Sequence, residues 1–238
     1  MNAKPFYFKQ FVIQQERCAM KVGTDGVLLG AWADVSNAQR ILDIGTGNGL
    51  IAIMLGQRNA EAQIDAVEIE AEACTEAREN MQNAPWAERL RVLHVSVQDY
   101  VGQAPEPYDL IVSNPPFFSG GTFSDQQDRA SVRHTVKLPH GDLLAAVRAL
   151  LQEQGRFCVI LPVIEGLRFQ EMATRYNLYC NKIMEVRPKD DKPAERLLMQ
   201  FEKTQKPLVE EMLILQKEGK NNWTEDYIAL TGDFYLYM

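Results

Sequence analysis

Two stretches hold residue types whose order suits chemistry, Asn114-Pro115-Pro116-Phe117 and Asp43-Ile44-Gly45-Thr46-Gly47-Asn48-Gly49. The first follows a short apolar run, Tyr108 to Ser113, that reads as a buried strand. Proline lacks an amide hydrogen and has a fixed φ, so the chain must leave the sheet there. The Asn114 side chain and the Pro115 carbonyl then offer acceptor oxygens beyond the strand's carboxyl end. Two acceptors can grip both hydrogens of a planar amine and leave its lone pair facing a third direction. Phe117 supplies a flat face for stacking. The combination suits presentation of an exocyclic NH2 group, or a side-chain amide, to an electrophile.

The second stretch is a glycine-rich turn from strand to helix, where glycine permits a tight bend and close backbone approach to a ligand. Its spacing is Gly-x-Gly-x-Gly with Leu50 next, so the dinucleotide pattern Gly-x-Gly-x-x-Gly is not met, and no phosphate-loop Lys-Ser/Thr follows. Glu68 lies about 20 residues past the turn at the end of the next apolar run, where an acid accepts both ribose hydroxyls of a nucleoside. Asp99, beside Tyr100, is placed to accept from an adenine amine.

The elements that must position these residues follow an α/β pattern from residue 40. Strands are predicted at Arg40–Ile44, Gln63–Ile69, Arg91–Ser96, 108–113 and Phe157–Leu161. Helices are predicted at Leu50–Asn59, Ala71–Ala84, Gly141–Gln154 with Gly155 as a C-cap, and Glu165–Tyr179. Val27–Ala33 reads as a short buried helix capped by Thr24 or Asp25. Phe6–Phe11 reads as a strand or hairpin, and residues 119–135 as a loop over the site. Ile183–Val186 and Arg196–Phe201 form a hairpin, with another short strand near Met212–Leu215. Alternating strands and helices argue for a parallel sheet covered on both faces, with ligands at the carboxyl ends of the strands.

The 238 residues carry 46% hydrophobic and 24% charged side chains, as in ordinary globular proteins. No apolar run is long enough for a membrane span, and the start of the chain lacks a signal peptide's apolar core. The four cysteines form no Cys-x-x-Cys pair and the three histidines show no zinc-like spacing with them. Free thiols, a cytoplasmic location and no metal site are expected. The net charge of −7 counts against a broad nucleic-acid footprint but not against local ones. Lys4 and Lys9 lie in a basic N-terminal stretch, and Arg129 and Arg133 lie after the Asn-Pro-Pro-Phe turn. A third cluster spans Lys182 to Arg196.

Asp43 to Gly49, Glu68, Asp99 and Asn114 to Phe117 resemble the motifs of class I S-adenosylmethionine-dependent methyltransferases, in the branch that methylates amino groups. A narrower resemblance is to the bacterial tRNA(Val) adenine-N6 methyltransferases. It is carried by Phe8-Lys9-Gln10-Phe11, by Arg17 through Trp32, and by the tail Asp233-Phe234-Tyr235-Leu236. It implies a Rossmann-like, seven-stranded, mostly parallel sheet with helices on both faces, and an N-terminal extension over 1–36 packed on a methyltransferase domain over 37–238. It implies S-adenosylmethionine held by Lys21, Thr24, Asp25, Asp43, Gly45, Gly47, Gly49, Glu68, Asp99 and Asn114. Asn114, Pro115 and Phe117 would serve catalysis, and Lys4, Lys9, Arg129 and Arg133 would hold RNA. The implied substrate is the adenine beside the anticodon of tRNA(Val), and the implied assembly is a monomer.

Other functions fit parts of the same pattern: methylation of a protein glutamine, whose family motif has Tyr where this chain has Phe117; methylation of a guanine N2 in ribosomal RNA; a non-catalytic cofactor-fold binder; or a nicotinamide oxidoreductase, against which the glycine spacing argues. A base must leave its stack to enter such a pocket, which suits a loop adenine better than a duplex one.

Overall fold

Alternation along the central strands sends successive side chains into two separate cores. Ile41, Leu110, Val112, Cys158 and Ile160 face one, and Leu42, Ile44, Ile111, Phe157, Val159 and Leu161 face the other. A sheet apolar on both faces must be covered on both. In the structure, a computed structural model describing residues 4–116, 138–219 and 222–237, helices do this on either side.

The sheet is built from β3 (Arg40–Ile44), β4 (Gln63–Glu68), β5 (Leu90–His94), β6 (Tyr108–Ser113), β7 (Leu151–Pro162), β8 (Tyr179–Lys189), β9 (Arg196–Glu202) and β10 (Val209–Gln216). Its order is β10-β8-β9-β7-β6-β3-β4-β5. Only β9 runs against the others. Among the described residues the sheet has eight strands where seven were expected, because β10 adds in parallel to the outer side of β8. The first face carries α1 (Thr24–Trp32), α2 (Leu50–Arg58) and α3 (Ala71–Gln82). The second carries α4 (Val97–Gly102), α5 (His140–Leu150) and α6 (Val163–Ala173). No helix among the described residues is long and apolar enough to cross a membrane.

The two chain ends meet. β1 (Phe6–Tyr7) and β2 (Val12–Ile13) form the expected N-terminal hairpin. Phe8 bridges to Tyr235, and the Lys9 amide donates to the Phe234 carbonyl at 2.8 Å. The tail that reaches it follows α7 (Glu225–Thr231), whose N-cap Thr224 accepts from the Tyr227 amide.

Several boundaries differ from the sequence reading for local reasons. Helix α1 starts at Thr24 with Gly23 as N-cap, so neither Thr24 nor Asp25 caps it. Helix α5 ends at Leu150 and Gly155 lies inside β7, not at a helix end. The pairing of β6 with β7 shifts between Tyr108↔Leu151 and Leu110↔Arg156. A Cβ on Gly155 would sit 2.9 Å from the Tyr108 carbonyl and 2.7 Å from the Leu151 side chain, so this irregularity needs glycine. Helix α6 stops at Ala173 because a 3-10 turn follows and Asn177 adopts φ 54°.

Candidate active site

Strand β3 continues to β4 on one side and pairs with β6 on the other, which makes their boundary the topological switch point. Both motifs leave the sheet there. After β3, Gly45, Gly47 and Gly49 all have positive φ (72°, 60° and 86°), a conformation costly for any residue with a Cβ. The turn is pinned to the neighbouring strand by amide bonds from Gly45 and Thr46 to the Val67 carbonyl. After β6, the Ser113 hydroxyl donates to the Ile44 carbonyl at 2.9 Å, fixing the base of the Asn-Pro-Pro segment to β3.

A cavity of about 650 Å³ opens between these turns, a size suited to a nucleoside-bearing ligand. Gly45 to Asn48, Glu68, Asn114, Pro115 and Pro116 line it. Glu68 is 8% exposed, and its carboxylate spans two turns. One oxygen accepts from the Gly47 amide at 2.9 Å and the other from the Glu70 amide at 2.9 Å. Each carboxylate oxygen has a further lone pair for a ligand hydroxyl. Asn114 Oδ1 is buried and has no hydrogen-bond partner among the described residues. A buried acceptor without a donor is an expensive feature for a fold to keep.

Two expected ligands, Asp43 and Asp99, lie off the cavity wall, and a third, Lys21, is on it with its amine engaged elsewhere. Asp43 does not line the cavity; it is fully buried beneath the glycine turn and accepts from the Thr46 hydroxyl at 2.6 Å. Asp99 is likewise absent from the cavity wall, because its carboxylate is turned back to the Ser96 hydroxyl at 2.6 Å. The Asp99 amide in turn donates to that same oxygen, so Ser96 caps the N-terminus of α4 and Asp99 sits in its first turn. Lys21 borders the cavity, but its amine is folded back onto the carbonyls of Gln15 and Cys18 at 2.6 and 2.7 Å. Thr24 and Asp25 line the cavity, with Asp25 paired to Arg196 at 2.8 Å. Among the lining residues the motifs did not single out is Ile69, 47% exposed although apolar, on a wall that Val97 and Gln98 also line. Its signal in the sequence is its position directly after Glu68.

Lys4 and Lys9 are exposed, and Lys9 Nζ donates to the Gly232 carbonyl. That carbonyl belongs to the tail that touches Gln57, at the far end of α2 from the glycine turn. Among the described residues, the cations on the cavity wall itself are Arg17, Lys21 and Arg196. Lys182, by contrast, sits over the Trp32 ring at the end of α1, away from the opening. Phe117, Arg129, Arg133 and the expected 119–135 loop lie outside the described residues.

Burial raises the Asp43 carboxyl to about 7 from an ordinary 3.8, against the Thr46 hydrogen bond and with the Glu68 charge adding to the rise. The folded state therefore holds a proton that the unfolded chain releases near 3.8. This contribution to stability is fully present below that value and is lost as pH rises towards about 7. Asp43→Asn cannot titrate, so the melting-temperature difference between it and the wild type should change across pH 4 to 7 and level off above. Parallel pH profiles for the two proteins would place the proton elsewhere.

The fold, with its cavity at the switch point, is that of the class I methyltransferases. Protein Atu636 of Agrobacterium tumefaciens, described as a predicted O-methyltransferase, shares the fold with a TM-score of 0.70 at 19% identity, over 88% of this chain and 96% of that one. The ribosomal protein L11 methylase of Lactobacillus delbrueckii follows at 0.53 and 16% identity, over 76% and 77%. In sequence, residues 21–161 match the methyltransferase small domain. The tRNA1(Val) (adenine(37)-N6)-methyltransferase of Trichodesmium erythraeum is 45% identical over 99% of both chains. Its counterpart in Pectobacterium carotovorum is 42% identical over 98% of this chain and 94% of its own. The chain belongs to the methyltransferase small-domain family, among the tRNA1(Val) (adenine(37)-N6)-methyltransferases.

Proposed function

We propose that this protein transfers the methyl group of S-adenosylmethionine to the N6 amine of adenine 37 in tRNA1(Val), the reaction its relatives are named for. The observation that carries the reading is Asn114 Oδ1, a buried acceptor on the cavity wall that lacks a donor among the described residues. An exocyclic amine supplies that donor.

The lining fits the cofactor. Glu68 accepts from the ribose hydroxyls, the glycine turn admits the ligand close to the backbone, and Ile69 with Val97 offers an apolar slot for the adenine ring. S-adenosylmethionine supplies a methyl group on a positively charged sulfur, already a strong electrophile. The chain's task is therefore alignment, which can be worth up to about 7–11 kcal/mol. Asn114 Oδ1 and the Pro115 carbonyl accept the two hydrogens of the target amine and direct its lone pair into the cavity. Phe117 stacks on the extruded base. The amine surrenders one proton after transfer, when its acidity has risen, so no dedicated base is required.

The N-terminal extension, residues 1–36, packs on the methyltransferase domain over 37–238, and the enzyme acts as a cytoplasmic monomer. Lys4, Lys9, Arg129 and Arg133 contact the RNA backbone, together with the cations at the cavity mouth. Affinity for an anticodon stem-loop should fall steeply with salt through counterion release. Reversing the charge at those four positions should flatten that dependence in filter binding. An unchanged slope would move the footprint to the hairpin between Lys182 and Arg196.

The reading is tested by incubating the enzyme with labelled S-adenosylmethionine and unmodified total RNA, then digesting to nucleosides. N6-methyladenosine recovered from position 37 of tRNA1(Val) is expected. Methylguanosine, or label in protein, would assign a different substrate.

A further inference from the structure

Residues 14–20 run as a strap along α3 and contribute Arg17, Cys18, Ala19 and Met20 to the cavity wall. Two side chains of α3, four residues apart and so on one face, hold the strap in place. Glu76 is 2% exposed; one of its oxygens accepts from the Arg17 amide at 2.8 Å and the other from the Cys18 amide at 2.9 Å. Asn80 is also 2% exposed. Its Oδ1 accepts from the Gln14 amide at 2.9 Å, and its Nδ2 donates to the Gln14 carbonyl at 2.9 Å and the Asn48 carbonyl at 2.8 Å. Asn48 belongs to the glycine turn, so one amide side chain joins the turn to the strap. Neither Glu76 nor Asn80 lines the cavity. The two walls are close enough that a Cβ on Gly47 would lie 3.4 Å from Cys18 Sγ.

We propose that Glu76 and Asn80 are positioning residues for S-adenosylmethionine: they lock the strap and the glycine turn into one geometry, so cofactor affinity depends on two side chains that never touch the cofactor. The inference rests on the cavity being the cofactor site. The physical reason is the number of obligatory backbone groups involved. Without Glu76, the Arg17 and Cys18 amides lose their acceptors at a partly to fully buried position, and the strap must open to hydrate them. Opening removes one wall while the β6 side of the cavity, with Asn114, stays in place. A ligand that orders a loosened segment binds more weakly by the cost of ordering it.

Glu76→Gln turns a donor towards one of the two amides. Asn80→Ala removes the link to Asn48. Glu79→Ala is the control, since it breaks only the half-exposed Arg17–Glu79 ion pair on the same helix. Calorimetric titration with S-adenosylmethionine should show at least tenfold weaker binding for the first two variants and less than twofold change for the third. At saturating cofactor, methylation turnover of the first two should stay within threefold of wild type. Trypsin should cut after Arg17 and Lys21 faster in the first two, and added S-adenosylmethionine should restore protection. Unchanged affinity in folded variants, a parallel loss of affinity and saturated turnover, or failure of both variants to fold would each overturn the proposal. A wild-type protein that binds no S-adenosylmethionine would overturn the reading of the cavity along with it.

Discussion

Asn114→Ala is expected to lower turnover by about a hundredfold or more, a typical cost of misplacing reacting atoms by about an ångström. Cofactor affinity and folding should barely change. The glycine turn and Glu68 hold their own hydrogen bonds without help from Asn114. The base of the Asn-Pro-Pro segment is tied to β3 through Ser113, not through Asn114. Folding stability can even rise, because the substitution deletes a buried acceptor that has no donor among the described residues. The combination is diagnostic. A residue kept for the fold loses stability when truncated and leaves per-molecule turnover intact. A residue kept for the transition state does the reverse. Single-turnover methylation of an adenine-containing anticodon stem-loop, run beside a thermal melt and a cofactor titration, separates the two. Near-normal turnover in the folded, cofactor-bound variant would sink the amine-clamp mechanism.

How far the sequence discloses this molecule depends on the range of the interactions involved. Strands β3, β4, β6 and β7 are legible because short apolar runs bounded by glycine, proline and charge have few other ways to fold. The glycine turn is legible because three glycines two apart permit a tight bend, and in the structure all three take positive φ. Asp99 misleads because an acid near a strand end and an acid in a helix's first turn look alike; only Ser96, three residues earlier and the N-cap that bonds it, hints at the second role. Gly155 misleads in the same way, since glycine marks both helix ends and strand irregularities, and its partner Tyr108 lies far back in the chain. Glu76 and Asn80 read as the polar face of an amphipathic helix. Their partners at Gln14, Arg17 and Cys18 are about sixty residues away, and no local pattern announces them. The meeting of Phe8 with Tyr235 spans nearly the whole chain and is invisible to periodicity for the same reason.

Glu68→Ala is expected to weaken S-adenosylmethionine binding by roughly 1–3 kcal/mol, about tenfold to a hundredfold in dissociation constant. Two losses contribute. The ribose hydroxyls lose a charged acceptor, and the Gly47 and Glu70 amides lose theirs, so the glycine turn is freed as well. Glu68→Gln helps to separate the losses. It is isosteric and can still accept from one of the two amides, but its NH2 opposes the other and carries no charge for the ribose. If the ribose contact dominates, Gln should bind nearly as weakly as Ala; if support of the turn dominates, Gln should recover much of the affinity. In both cases turnover at saturating cofactor should stay close to wild type, because the interaction is made in the ground state and the transition state alike. A linked effect checks the geometry from the other side of the turn. The Glu68 charge helps to raise the Asp43 carboxyl, so either substitution should lower the pH at which the Asp43 contribution to stability is lost. Unchanged calorimetric affinity in Glu68→Ala would mean that the ribose is held elsewhere on the wall. An unchanged stability profile would mean that Glu68 and Asp43 do not sense one another across the glycine turn.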